Sequence, residues 1–264
     1  MSTKFKNPTN KIQITKPYPS RESTGEKSEL FDPTAYIGNP ADARLLYKGG
    51  LMITDLKVYI IFWGPSFTGV LNNLAIQIIG FFKTILNGAL MDQLAEYNTA
   101  NYQVGKGTYL DSAIDPTPCP PVLSDAEIQA RLKFWLDHKV GLPEPDQHTL
   151  YFIYLESGVQ VTMGGESSCT NFCGYHSNIG DSTFYAVIPY PDCAGCLGNN
   201  NVFDAITGTS SHELCEAITD PIPYTGWYDD NNNMEIGDIC GWQFKKVDGY
   251  NVQLEWSNQN NSCR

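Results

Sequence analysis

Val58-Tyr59-Ile60-Ile61-Phe62-Trp63 is an uninterrupted run of aliphatic and aromatic residues, and Gly64-Pro65 closes it. Such a run is typical of a β-strand that is buried on both faces. Two further runs of this kind follow at 150–155 and 183–188. We therefore expect these three strands to form the centre of a sheet that is mostly covered by other parts of the chain.

Helical segments separate the predicted strands. Apolar residues recur at three- to four-residue spacing between positions 72 and 85, as on one face of a helix. Ser124-Asp125-Ala126-Glu127 is a capping box that opens a second helix, and a third is predicted at about 203–219. Between them, a strand is predicted at 102–110 and a polar loop at 161–181. Strands that alternate with helices predict an α/β or α+β fold, with a central sheet flanked by helices.

Composition sets the domain organisation and excludes some partners. Residues 1–40 are rich in Lys, Ser, Thr and Pro, and we expect them to form a flexible basic N-terminal arm. Residues 41–264 are expected to form a single domain, because 264 residues with 42% hydrophobic content can bury a full core. The formal net charge is −12, so no basic stripe is available for nucleic acid.

No membrane span is predicted. The most apolar stretch, 70–90, is interrupted by Asn, Gln and Lys residues and is typical of a buried helix. Residues 1–30 are polar and contain no apolar segment of the kind that secretory signals carry.

The segment with the strongest chemical signal is Ser211-His212-Glu213-Leu214-Cys215-Glu216-Ala217-Ile218-Thr219-Asp220-Pro221. On a helix, His212 and Glu216 lie one turn apart and can bind the same metal ion. The pattern resembles the zinc-binding H-E-x-x-H helix, with Glu216 in place of the second histidine, and Glu213 would activate a metal-bound water as general base. Asp238 is the expected third ligand. Glu235 is the substitute if Asp238 instead orients His212.

Neither the identity of the metal ion nor metal binding itself is fixed by this helix. Zinc accepts both ligand types, although a site with two carboxylates and one imidazole is also suited to manganese or calcium. The alternative is an ordinary amphipathic helix on which His212 and the glutamates are solvated or paired with other charges.

Eight cysteines stand at 119, 169, 173, 193, 196, 215, 240 and 263. Their even number and mostly loop-like context favour disulfides and an oxidising compartment. A structural zinc site built from the four thiolates between 169 and 196 is the alternative. His176 follows a Cys-Gly turn in the polar loop, and we treat it as a candidate catalytic residue, either as an additional ligand or as an electrophile. Its other interpretation is a loop histidine bonded to a backbone carbonyl.

Several motifs, taken in order, resemble the phosphate-induced, EXORDIUM-like proteins of plants and microbes. They are Tyr59-Ile60-Ile61-Phe62-Trp63-Gly64, Cys169-x-x-x-Cys173-Gly174-x-His176-Ser177, Pro191-x-Cys193-x-x-Cys196, the motif helix, Gly226-Trp227-Tyr228, Glu235-Ile236-Gly237-Asp238-x-Cys240, and the ending Gly249-Tyr250-x-Val252-Gln253-x-x-Trp256-Ser257-Asn258. The resemblance covers about 45–264 and is closest to the microbial branch. It implies an extracellular, disulfide-bonded protein. With it in place, the pairings we favour among the 105 connectivities are 169–173, 193–196 and 240–263, which leaves 119 with 215.

The motif helix and the resemblance to EXORDIUM-like proteins together predict an extracellular zinc-dependent hydrolase. The simplest such enzyme is a peptidase that acts on a peptide or a cell-wall-derived substrate. The alternative is a non-catalytic wall-associated, signalling or binding protein on a degenerate metalloprotease-like scaffold. A serine or cysteine nucleophile that works with His176 is a third option, and no G-x-S-x-G turn supports it.

Overall fold

The computed structural model describes residues 42–138 and 141–264, together with a short strand, β1, at Gln13–Thr15. The α-helices in these residues are α1 Asn72–Ile85, α2 Ala89–Gln93, α3 Asp125–Asp137, α4 Ala194–Leu197 and α5 Val202–Thr219. The strands after β1 are β2 Leu46–Tyr47, β3 Lys57–Trp63, β4 Thr108–Asp115, β5 Val122–Ser124, β6 Thr149–Leu155, β7 Gln160–Met163, β8 Glu166–Ser167, β9 Gly174–Ile179, β10 Thr183–Ile188, β11 Trp227–Tyr228, β12 Phe244–Val247, β13 Tyr250–Gln253, β14 Trp256–Ser257 and β15 Ser262–Cys263.

A six-stranded mixed sheet lies at the centre, in the order β1-β9-β10-β6-β3-β4. The strands β4, β3, β6 and β10 are parallel, whereas β9 and β1 run antiparallel to their neighbours. The three strongly apolar runs of the sequence are β3, β6 and β10, as predicted. The α/β class, with a mostly buried sheet flanked by helices, is therefore confirmed.

Hydrophobic cores cover both faces of this sheet because side chains alternate along each strand. On one face α1 and α5 pack on a core that includes Val58, Ile60, Phe62, Leu150, Phe152 and Tyr154. On the other face α3 packs on a second core that includes Tyr59, Ile61, Trp63, Tyr151 and Ile153. The predicted capping box is present at the start of α3, where Ser124 and Glu127 bond each other's backbone N–H groups.

Two segments differ from the sequence-based expectation. The strand predicted at 102–110 is displaced to β4, where pairing with β3 begins at Thr108. The polar loop predicted at 161–181 instead contains β7, β8 and β9. Its small residues suit β9, since a β-carbon on Gly174 would lie only 2.6 Å from Cγ2 of Thr209 on α5. Small side chains here reflect close contact between helix and sheet rather than a solvated loop.

Three disulfides join Cys169 to Cys193, Cys173 to Cys196 and Cys240 to Cys263, and they indicate an oxidising environment. Only the 240–263 pairing was predicted correctly. The pairings 169–173 and 193–196 are wrong because each bridge joins the loop before β9 to the loop after β10.

The remaining pairing, 119 with 215, is also wrong, since both thiols are free. Cys215 belongs to the core beneath α1 and α5, whereas Cys119 packs against the core on the opposite face of the sheet. The sheet itself separates the two sulfur atoms.

Two predictions concern the helices and the N-terminal arm. No single helix in the described part of the chain is long and apolar enough to cross a membrane, and one bent pair, Asn72–Ile85 with Ala89–Tyr97, meets the length and composition test. The arm predicted at 1–40 lies outside the described residues, apart from β1, which pairs with β9.

Phe152 tests the core between the sheet and α1. Its ring is fully buried, with the ring centroid 4.7 Å from that of Phe82. Truncation in Phe152→Ala should lower the free energy of unfolding by about 3–5 kcal/mol, because it removes apolar contact and leaves a cavity. Chemical denaturation measures this. The control is Val70→Ala, at a side chain that is 87% exposed, and its effect should stay within about 0.5 kcal/mol. Equal effects of the two changes would contradict this description of the core.

Candidate metal centre

The motif helix α5 is buried along almost its whole length. Asn201 caps it by accepting a hydrogen bond from the backbone N–H of Asp204 at 2.9 Å, and every residue from 205 to 219 is buried. The small residue Gly208 lets the ring of Phe244 approach, since a β-carbon there would lie 2.6 Å from the ring. The hairpin of β12 and β13 covers this side of the helix. His212 and the glutamates are therefore not solvated, which excludes the exposed amphipathic helix.

Five side chains converge beside α5, and we call them the imidazole–carboxylate cluster: His176, His212, Glu213, Glu216 and Glu235. Within this cluster, two sets of three residues have potential ligand atoms within 4.8 Å of one another. One set is His212, Glu213 and Glu216, and the other is His176, Glu216 and Glu235. Glu216 belongs to both, so it lies at the middle of the cluster.

His212 faces Glu216 across one turn of α5, as the sequence predicted. Its Nε2 atom lies 3.1 Å from Oε1 of Glu216, although the two are not aligned for a hydrogen bond. On the other side of the ring, the amide nitrogen of Gln253 lies 2.7 Å from Nδ1 and 2.9 Å from the carbonyl oxygen of Gly237. In this arrangement the amide nitrogen of Gln253 faces Nδ1, while its oxygen accepts a hydrogen bond from the backbone N–H of Trp242 at 3.3 Å. A metal ion at Nε2 would leave the ring proton on Nδ1, so the amide of Gln253 would have to turn over to accept it.

His176 enters the cluster from β9 and not from a loop. Its Nδ1 atom lies 3.3 Å from Oε2 of Glu213 and 3.6 Å from Oε2 of Glu216. Its Nε2 atom lies 3.3 Å from the carbonyl oxygen of Asp220, the partner that the backbone-bonded interpretation required. A histidine whose N–H is fixed by a carbonyl in this way can offer the other nitrogen to a metal ion.

Glu235 is the most isolated member of the cluster. Its side chain is fully buried, and no donor among the described residues reaches either carboxylate oxygen. The nearby carboxylate of Asp220 accepts hydrogen bonds from the backbone N–H groups of Tyr224, Thr225 and Gly226, at 2.6–2.9 Å. Buried carboxylate oxygens without donors are costly unless a proton or a cation neutralises them.

Asp238, the predicted third ligand, has a different position. One of its carboxylate oxygens accepts a hydrogen bond from the backbone N–H of Glu235 at 3.1 Å, and its own N–H donates to Oε1 of Glu216 at 3.2 Å. It belongs to neither set of converging ligand atoms. The structure therefore brings Glu235, the substitute ligand, into the cluster and places Asp238 where it holds Glu235 and Glu216.

The protonation of the metal-free cluster follows from burial and from the opposed charges. Burial alone would lower the pKa of both histidines and raise that of Glu216, but their mutual attraction reverses each shift. The pKa of His176 rises to about 10 and that of Glu216 falls to about 2. Burial, together with the charges of Glu216 and Asp220, raises the pKa of Glu235 well above its ordinary value. Without a metal ion, protons thus balance the charge of the carboxylates.

A divalent cation fits the residues that are present. The cluster offers two imidazoles and three carboxylates, which are ligand types that zinc accepts. Nε2 of His212, Oε2 of Glu216 and both carboxylate oxygens of Glu235 are buried without a hydrogen-bond partner among the described residues. A cation would replace the protons that these groups otherwise hold. The residue groups are thus able to hold a metal ion, and they do not by themselves select zinc.

Three residues near the cluster were missed from the sequence. Gln253 appeared only as part of the C-terminal motif, and Asp220 only as the end of the helix. Glu255 had no signal at all, yet it is fully buried, with neither carboxylate oxygen bonded to a described donor. Burial raises the pKa of Glu255 and of the neighbouring Cys215 thiol. Gln253 and Glu255 thus lie near His212, whereas Asp220 lies beside His176 and Glu235.

Gly237 offers a direct test of the packing around His212. A β-carbon at this position would lie 2.6 Å from Nδ1 of His212. We expect Gly237→Ala to lower the free energy of unfolding by about 1–3 kcal/mol, because the ring must move. The control is Gly241→Ala in the same turn, where the nearest atom to the new β-carbon lies at 3.5 Å. Denaturant titration of both variants makes the comparison, and a smaller loss for Gly237→Ala than for Gly241→Ala would contradict it.

The raised pKa of His176 predicts how the stability of the metal-free protein changes with pH. The folded-state pKa of about 10 exceeds the ordinary value of 6.5, so the protonated ring stabilises the fold fully below pH 6.5. This contribution should be lost as the pH rises from 6.5 to about 10, at up to about 1.4 kcal/mol per pH unit. Unfolding measured across this range should show a shallower dependence in His176→Gln. An unchanged slope would rule out titration of His176.

Known proteins offer no guide to the chemistry of this cluster: no protein-family model matches the chain, and no curated protein matches it significantly. The chemistry is therefore inferred from the residues themselves.

Proposed function

We propose that this protein binds a divalent metal ion, with zinc as the first candidate, in the imidazole–carboxylate cluster and acts as a metal-dependent hydrolase. The observation that carries the proposal is the set of buried ligand atoms on Glu216, Glu235 and His212 that have no hydrogen-bond partner among the described residues and lie beside a second imidazole. Buried charges of this kind are stabilised when they are paired or bind a metal ion. Manganese and calcium are the alternatives, because carboxylates outnumber imidazoles.

His212 and Glu216 are the central ligands in this proposal, and Glu235 converges on Glu216 together with His176. A divalent ion would supply Lewis acidity and lower the pKa of a coordinated water. Glu213 precedes Glu216 by three residues, so the two carboxylates lie on the same side of α5. Glu213 can therefore accept a proton from the coordinated water as general base. His176 lies 3.3 Å from Oε2 of Glu213 and can stabilise the charge of that carboxylate.

Substrate class and location belong to the same proposal. A histidine–glutamate pair followed by a further ligand one turn later is the arrangement used for peptide-bond hydrolysis, so a peptide is the first substrate class and a cell-wall-derived compound the second. The three disulfides support an extracellular location. We also propose membership of the EXORDIUM-like family, which rests on the ordered motifs of residues 45–264.

Metal content is the primary test. Protein purified without chelator should contain about one zinc or other divalent ion per chain by elemental analysis. His212→Ala and Glu216→Gln should lose it, because each removes a central ligand. His138→Ala is the matched control, since His138 is exposed at the end of α3 and should leave the metal content unchanged. A wild-type protein that neither contains nor takes up a divalent ion would sink the proposal and leave the cluster as an internal ion-pair network.

A second candidate function is favoured by one observation. All five side chains of the cluster are at most 1% exposed, so a bound ion would be sealed from a large substrate in this conformation. In that case the protein is a non-catalytic wall-associated, signalling or binding protein, and the ion stabilises its fold.

Glu213→Gln separates the two candidates. The hydrolase proposal expects this variant to keep its metal content and to lose peptide hydrolysis in a substrate screen. The binding-protein alternative expects glycan or cell-wall binding that the substitution leaves intact, with no hydrolysis by either protein.

A further inference from the structure

Four cysteines form a compact group where the segment before β9 meets the loop after β10. Cys169 and Cys173 lie in the segment between β8 and β9, whereas Cys193 and Cys196 lie in the loop that contains α4. The sulfur atoms of Cys169, Cys193 and Cys196 are within 4.8 Å of one another, and Cys173 is bonded to Cys196. We call these residues the four-cysteine cluster. Two adjacent disulfides thus bring all four sulfur atoms to one place.

This spacing is close to that of a tetrahedral zinc site. Zinc–sulfur bonds of about 2.3 Å place the four sulfur atoms about 3.8 Å apart. The sulfur atoms of Cys169, Cys193 and Cys196 are already within 4.8 Å of one another, and Cys173 is bonded to Cys196. The bonded pairs have Cα–Cα distances of 5.8 and 5.4 Å. Once both bonds are open, rotation of the cysteine side chains would separate the bonded sulfur atoms towards the spacing of a zinc site.

The backbone around these cysteines is held by bonds that do not depend on the disulfides. The N–H of Cys169 donates to the carbonyl of Phe172 at 2.8 Å, and the N–H of Cys196 donates to that of Cys193 at 3.1 Å. The adjacent strand β9 is fixed to β10 by its own ladder. Reduction therefore opens two covalent bonds without removing the turns that place the thiols together.

Access to the cluster is one-sided. Cys173 and Cys196 are buried, at 4% and 3% exposure, whereas Cys169 and Cys193 are partly exposed. A reductant can therefore reach the bond between Cys169 and Cys193 first. The thiol that this step releases on Cys193 or Cys169 lies within 4.8 Å of Cys196, so thiol–disulfide exchange with the second bond is short-range.

We propose that the four-cysteine cluster is a redox-dependent zinc site: it holds two disulfides when oxidised and one zinc ion, bound by four thiolates, when reduced. A dithiol gives each disulfide two electrons and two protons and itself becomes a disulfide. A phosphine gives two electrons and becomes the phosphine oxide, while one water supplies the oxygen of that oxide and the two protons. Reduction of both disulfides thus gives four thiols. Binding of Zn²⁺ then releases the four thiol protons. Reoxidation by a disulfide oxidant removes four electrons and returns the zinc ion to solution. The same loops are thereby cross-linked in both oxidising and reducing surroundings.

The test uses the full chain, reduced with a phosphine under inert gas and titrated with Co²⁺ and then Zn²⁺. Thiolate coordination gives a sulfur-to-cobalt charge-transfer band in the near ultraviolet, which imidazole and carboxylate ligands do not give. The reduced protein should show this band with one Co²⁺ per chain, and Zn²⁺ should displace it. The oxidised protein should show none. His212→Ala should keep the band, which makes the result independent of the proposed hydrolase site.

Two variants assign the band to these residues. Cys169→Ser combined with Cys193→Ser should abolish it, because only two of the four ligands remain. Cys240→Ser combined with Cys263→Ser removes the third disulfide and should leave the band intact. A band that survives the first double substitution would overturn the proposal. So would a reduced protein that binds no Co²⁺, or one that unfolds by far-ultraviolet circular dichroism and does not refold when Zn²⁺ is added.

Discussion

The removal of charged groups from water on α5 is the constraint on which the rest of the site depends. A buried carboxylate or imidazolium costs several kcal/mol unless an opposite charge or a hydrogen bond compensates it. Helix α5 places His212, Glu213 and Glu216 in the core together, and His212 compensates part of the negative charge. Further compensation comes from His176 on β9 and from Gln253 on β13. The sheet and the C-terminal hairpin thus supply the partners that lower the free-energy cost of burying α5.

The parts of the fold that the sequence predicted are those in which one segment carries its own signal. The apolar runs of β3, β6 and β10 and the spacing in α1 reflect burial that every residue of the segment shares. The capping box at Ser124 is likewise local. In contrast, β9 was missed because Gly174 and His176 are suited to contact with α5 and not to strand propensity. The wrong disulfide pairings have a related cause, since which loops lie side by side is set by the order of strands in the sheet.

The residues of the candidate site also separate into those that local sequence predicts and those that only tertiary structure brings together. The motif identified His212, Glu213 and Glu216 because their contact follows from helical spacing alone. His176 and Glu235 were candidates by composition, and their contact with the motif depends on tertiary structure. Gln253, Asp220 and Glu255 were not candidates, since nothing in a single sequence marks a polar residue as buried. The close packing of Gly237 on the ring of His212 is also invisible until both segments are placed together.

The pairing of β1 with β9 has a consequence for the order in which the chain assembles. Gln13 pairs with His176, so an early segment of the chain meets a partner that is synthesised much later. Contacts of such long sequence separation form slowly, because the entropy of closing a large loop is lost before the contacts contribute any stabilising free energy. Until then β9 presents an unpaired edge, of the kind that promotes association between chains. Pairing with β1 therefore closes the edge strand that carries His176.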